Sequence, residues 1–146
     1  MLLSMEKFFV SISIVLLSIM ALPLYAQQEI LFPDSVGSKM RYNATIEMPK
    51  GYVSGVCIMV NDNGVVKGSL FNEFGISAID FTYESKKKKV KLLAVIQMLN
   101  KWYIKKVLKK DLVQVMDNLS KGISFYHDKK YKIDYDFTIL KDATEE

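Results

Sequence analysis

The chain has 146 residues and a mass of 16.7 kDa, with 20 Lys+Arg against 16 Asp+Glu for a formal charge of +4. Half of it is apolar, enough for one core, and the length leaves little room for a second domain. A single His, a single Cys and a single Trp exclude a conventional zinc site and leave a catalytic triad dependent on one imidazole.

In chain order, Lys7 is followed by an apolar run from Phe8 to Leu22. Its length, about 15 residues, suits a signal-peptide core and is short for a membrane span. Pro23 breaks the run, and Leu24-Tyr25-Ala26 places a small residue at the expected cleavage position. Residues 1–26 therefore read as an export signal, and the mature protein is expected in the periplasm. An uncleaved anchor is the competing reading. No Cys follows Ala26 directly, which leaves no acceptor there for a lipid. Residues 27–39 contain Pro33 and Gly37 without a sustained period and read as an extended N-terminal arm.

From Met40 the period becomes two. Met40, Tyr42, Ala44, Ile46 and Met48 alternate with polar residues, which describes a half-buried strand closed by Pro49-Lys50-Gly51. Tyr52 to Val60 is a second strand. Asn63-Gly64 is a hairpin turn, because both residues tolerate positive φ. Val65 to Asn72, Ile76 to Glu84 and Val90 to Gln97 complete a meander, and Gly68 marks a bulge or a close approach.

Between Met98 and Leu119 there is no Gly or Pro, and Ile104, Leu108, Leu112, Val115 and Leu119 recur at helical spacing. At 100° per residue they fall within about 80° of one another, one apolar stripe. Lys106, Lys109, Lys110 and Asp117 lie opposite. Lys101 and Lys105 fall on the apolar side, so the first turns are expected to bend or separate. Gly122 stops the helix, and Ile123–Tyr126 with Tyr131–Leu140 form a final hairpin around His127-Asp128-Lys129-Lys130. The tail, residues 141–146, is polar. The fold class is mainly β (α+β): a curved antiparallel sheet, or half-open barrel, of about seven strands with one amphipathic helix on the concave face.

The chemistry-bearing residues favour binding over catalysis. His127 reads as an exposed turn residue. Cys57, within Val56-Cys57-Ile58-Met59-Val60, reads as a buried, inert thiol. Glu73 and Asp80 are the carboxylates an enzyme would need, yet Asp80 is expected to face solvent. No metal, cofactor or nucleic-acid partner is implied, since the only arginine is Arg41 and no Gly-rich loop opens a helix. The lysines of the helix suit an anionic membrane surface or simply a solvated face. Met40, Met48, Met59, Met98 and Met116, with many aromatics, suit either a plain core or an adaptable apolar groove.

The block from Gly55 to Met59 through Gly68-Ser69-Leu70-Phe71-Asn72-Glu73-Phe74-Gly75-Ile76-Ser77-Ala78-Ile79-Asp80-Phe81, followed by Val107-Leu108-Lys109-Lys110-Asp111-Leu112, resembles the LolA/LolB-like superfamily of periplasmic lipoprotein carriers and acceptors. The likeness spans residues 40–140. It implies a half-barrel with an apolar cavity for acyl chains. On that reading the chain is a non-enzymatic lipid or lipoprotein acyl-chain binder. Its groove would be lined by Val56, Ile58, Leu70, Ile79, Phe81, Leu92, Ile104, Leu108, Leu112, Val115 and Leu119, with Lys106, Lys109 and Lys110 meeting a membrane surface. The alternative is an envelope interaction module with a filled core and no ligand.

Overall fold

The computed structural model describes residues 29–141; the expected export signal and the end of the polar tail lie outside them. Seven strands follow the periodicity: β1 (Lys39–Met48), β2 (Gly51–Asp62), β3 (Val65–Asn72), β4 (Ser77–Glu84), β5 (Lys89–Val95), β6 (Phe125–Asp128) and β7 (Ile133–Ile139). A 3-10 turn at Gln97–Leu99 and helix α1 (Trp102–Ser120) stand between β5 and β6. The sheet order is β5-β4-β3-β2-β1-β7-β6, with every pairing antiparallel. The sheet curls into a half-barrel, as expected from the sequence.

The topology explains why one helix suffices. β5 and β6 are the two edges of the sheet, and α1 carries the chain between them while packing against both. The helix thus covers the concave face and bridges the gap that full closure would otherwise remove. The separate first turn anticipated from Lys101 and Lys105 is present: the 3-10 turn ends at Leu99, and Lys101 is extended before α1 begins. At the other end Gly122 has φ +79, and the Ile123 amide donates to the Asn118 carbonyl. That is the left-handed stop the sequence called for.

Register fixes which side chains meet. Tyr42 lies opposite Cys57 and Ile139, Ala44 opposite Gly55 and Phe137, and Leu70 opposite Cys57 and Ile79. These inward positions join Leu108, Leu112, Val115, Met116 and Leu119 of α1 in one buried cluster. Asn63 and Gly64 both take positive φ, at 53° and 90°, and Asn61 Oδ1 accepts from the Gly64 amide at 2.9 Å.

Gly68 is a close approach and not a bulge, because a Cβ there would sit 2.2 Å from the Phe81 ring. The register shifts lie instead at Leu70/Phe71 and at Asp80/Phe81. The second of these leaves Leu93 without a partner on β4 and exposed. The final hairpin is shifted from expectation: His127 and Asp128 belong to β6, and the turn covers residues 129–132. Asp128 draws the chain in by accepting the amides of Lys130 and Tyr131 at 2.9 and 3.0 Å.

The extended N-terminal arm packs onto the domain. Phe32 and Pro33 are buried, and Phe32 meets the Tyr83 ring edge-on at 5.9 Å. Asn61 donates to the Pro33 carbonyl at 2.9 Å, Tyr42 to the Leu31 carbonyl at 2.6 Å, and the Leu31 amide to the Leu119 carbonyl at 3.1 Å. The arm therefore closes one end of the half-barrel, where α1 ends. A short apolar triplet has no periodicity, so its burial left no mark in the sequence pattern.

Candidate open cleft

The opposite end is open. The β1–β2 turn, the 3-10 turn, the first turns of α1 and the β6–β7 turn surround a cleft of about 940 Å³. This is near the top of the size range of small-ligand sites, about 300–1,000 Å³. Met48 and Pro49 form one wall, Met98, Trp102, Ile104 and Val107 another, and Tyr131 and Ile133 a third. Every charged group in the lining is a lysine: Lys50, Lys101, Lys106, Lys110 and Lys130. None of the five forms an ion pair with a described carboxylate. Helix α1 starts here without a side-chain cap and without an acidic residue in its first turn, so the positive end of its dipole adds to the lysine field.

Trp102 is three-quarters exposed and stacks edge-on with Tyr103, ring centroids 5.7 Å apart. An apolar floor, aromatic walls and a cationic rim form a surface suited to an amphiphilic anion. Met98 reaches over Gly51, its sulfur 3.5 Å from where a Cβ on that glycine would lie, an ordinary contact distance.

The residues expected to line a groove fall elsewhere, with the exception of Ile104, which borders the cleft. Leu70, Ile79, Phe81, Leu108, Leu112, Val115 and Leu119 are buried against one another, and Leu92 packs half-buried on the same cluster. The curl of the sheet brings these side chains into contact, so the space between sheet and helix is filled. Val56 and Ile58 are corrected more fully. Val53, Cys57 and Met59 point inward, so strand alternation sends Val56 and Ile58 to the outer face, where they are half-buried. Of the helix lysines, Lys106 and Lys110 line the cleft, and Lys109 is exposed outside its lining.

The remaining candidates are accounted for. Cys57 is fully buried, and burial pushes its thiol up to about 12, so it stays a neutral thiol. Asp80 faces the outer side of the sheet and accepts from Ser69 and Ser77 hydroxyls at 2.6 and 2.7 Å. Glu73 is an exposed turn residue. His127 is exposed on β6 and pairs across the hairpin with Asp134, not with its sequence neighbour. Among the described residues, no group of three or more His, Cys, Asp or Glu could hold a metal ion, and no helix is long and apolar enough to cross a membrane.

Behind the cleft lies a polar cluster that the sequence reading missed. Asp111, on α1, is 2% exposed and accepts from the Tyr135 hydroxyl at 2.8 Å. Burial, the largest cause, and the neighbouring Asp128 raise its carboxyl to about 7, against the Tyr135 hydrogen bond, which lowers it. Asp128 is held below its ordinary value: burial alone would raise it, but the Tyr131 and Lys130 amides and Asp111 outweigh that. The pair thus keeps a proton between helix and hairpin, with Asp111 as the protonated partner. In comparisons with known proteins, no family model, no curated protein and no solved structure matches this chain.

Proposed function

We propose that the protein is an exported, non-enzymatic carrier or receptor of lipid, and that its open cleft holds one acyl chain of a lipid or lipoprotein with the anionic headgroup among the lysines. The observation that carries this reading is the lining itself: apolar and aromatic walls, a rim of lysines and no carboxylate. Each buried methylene contributes about 0.8 kcal/mol, so about eight give roughly 6 kcal/mol. That only matches the lower range of the association cost, about 4–15 kcal/mol. The lysines therefore decide whether the affinity is useful, and a carboxylate or phosphate headgroup is favoured over an uncharged one. The apolar run of residues 8–22 supports export to the periplasm. Outer-membrane lipoprotein handling is the process into which such a binder would fit.

The test uses palmitate and the emission of Trp102, the only tryptophan, which stands in the cleft wall. A saturable blue shift is expected, and Val107→Asp is expected to weaken it at least tenfold while circular dichroism stays unchanged. A folded Val107→Asp variant that binds as before removes the cleft from the reading. Leu112→Glu is unsuitable here, because Leu112 is core and its loss reports folding. The filled space between sheet and helix favours the second reading, an envelope interaction module. An absence of any saturable palmitate response would favour that module.

A further inference from the structure

We infer that the open end of the half-barrel is a membrane-docking surface that seats on a bilayer containing anionic phospholipid, with the cleft mouth facing the lipid. This goes beyond the acyl-chain reading and stands without it, since surface docking needs no bound ligand.

At the closed end, Lys67 pairs with Asp62, Lys87 with Glu84, and Lys88 and Lys121 with Asp117. Those four lysines lie in or beside the β2–β3 and β4–β5 turns and at the end of α1, where local carboxylates neutralise them, whereas Lys86 and Lys89 beside the β4–β5 turn form no ion pair with a described carboxylate. At the open end, the cleft lysines form no ion pair with a described carboxylate. The open end therefore gathers five lysines around one apolar mouth with no carboxylate in its lining, an arrangement complementary to an anionic leaflet.

Aromatic and apolar residues share that end. Trp102 and Tyr103 open α1, Met98 projects from the 3-10 turn, and Tyr131 sits in the β6–β7 turn, all of them exposed. The β3–β4 turn belongs to the same end of the meander and exposes Phe74 at 78% and Ile76 at 58%. Exposed aromatic and apolar tips are unfavourable in water singly. Beside lysines on one surface, they match the headgroup layer, where Trp and Tyr rings settle and basic side chains meet phosphates. A folded-protein partner would need acidic groups spaced to match these lysines, whereas a bilayer supplies anionic headgroups and an apolar layer together, and the charged groups of the lining are all cations.

The experiment is sedimentation of the protein with phosphatidylcholine vesicles, with and without phosphatidylglycerol, alongside Trp102 emission. Binding that needs phosphatidylglycerol, weakens with salt and shifts the emission to the blue is expected. Lys101→Glu with Lys106→Glu is expected to lower partitioning at least about tenfold, because each basic residue near an anionic surface contributes severalfold. Lys86→Glu with Lys89→Glu changes net charge equally at the closed end and is expected to alter partitioning less than about threefold. No phosphatidylglycerol dependence, or equal losses in the two double variants, overturns the inference. Circular dichroism confirms that these exposed substitutions leave the fold intact. If vesicle binding persists while palmitate gives no saturable shift, only the acyl-chain reading fails. The converse result removes only the docking surface.

Discussion

Replacing Asp111 by Asn tests whether a buried acid pair joins α1 to the last hairpin. The asparagine oxygen can still accept from Tyr135, and its amide can donate to Asp128, so shape and hydrogen bonds persist without an ionisable group. In the folded protein the Asp111 carboxyl titrates at about 7, against 3.8 when unhindered. Between those values the native state retains a proton that the unfolded chain has released, so stability falls as pH rises and levels off above about 7. A shift of this size corresponds to at most about 4 kcal/mol, and sharing the proton with Asp128 reduces the expected figure to about 2 kcal/mol. Asp128 has the opposite sign: its lowered value adds stability that is lost only as pH falls below about 4, outside this window. Urea unfolding of both proteins, followed by circular dichroism from pH 4 to 9, gives a difference curve in which unaltered groups cancel. Asp111→Asn is expected to gain on the parent progressively from pH 4 and to lead by about 2 kcal/mol at pH 8. A flat difference curve, or a variant less stable than the parent at pH 8, would refute the shared-proton account.

Two further outcomes follow from packing. Gly55→Ala would place a Cβ 1.8 Å from the Phe71 carbonyl oxygen and force two strands apart; Gly68→Ala would press on the Phe81 ring at 2.2 Å. Both are expected to lower stability in urea unfolding, Gly68→Ala by about 1–3 kcal/mol and Gly55→Ala by more, because backbone yields less readily than a ring. Cys57 is expected to react with a thiol reagent at pH 8 only at the rate of global unfolding, and to react fully in denaturant, since the thiol is buried and protonated.

Legibility in the sequence tracked how local each signal was. Strand alternation in β1 and β4 places polar residues on one face, so those strands could be oriented on sight. β2 offers no such mark: Val53, Val56, Cys57, Ile58, Met59 and Val60 are apolar on both faces, and the inward set emerges only from pairing with Tyr42 and Leu70. Asn63-Gly64 and Gly122 stated their backbone conformations directly. Asp111 could not be recognised as buried, because its partners Asp128 and Tyr135 are distant in sequence and the helix stripe marks only apolar positions. The cleft left a fainter trace. Lys101 and Lys105 on the apolar side of the helix said that its first turns do not face the core, and those turns are where Trp102, Tyr103 and Ile104 line the opening.

The two ends of the half-barrel differ in how tightly they pack, and a pair of substitutions measures the difference. Phe32 plugs the closed end with 6% of its surface exposed, whereas Trp102 is 75% exposed at the open end. Both are large aromatics, so composition alone would rank them alike. Truncating a buried Phe to Ala costs about 3–5 kcal/mol through lost transfer energy and the cavity left behind. Phe32 belongs to a short arm held by three hydrogen bonds, which can partly collapse, so the low end of that range is expected. Trp102→Ala removes mostly solvated surface and is expected to stay within about 0.5 kcal/mol of the parent. Urea unfolding by circular dichroism measures both without relying on tryptophan emission. Equal losses would mean that the cleft wall is part of the core and that no ready-made opening exists. A large loss for Phe32→Ala with none for Trp102→Ala leaves the aromatic rim free of any folding role, as a surface kept for contact with a ligand or a lipid would be.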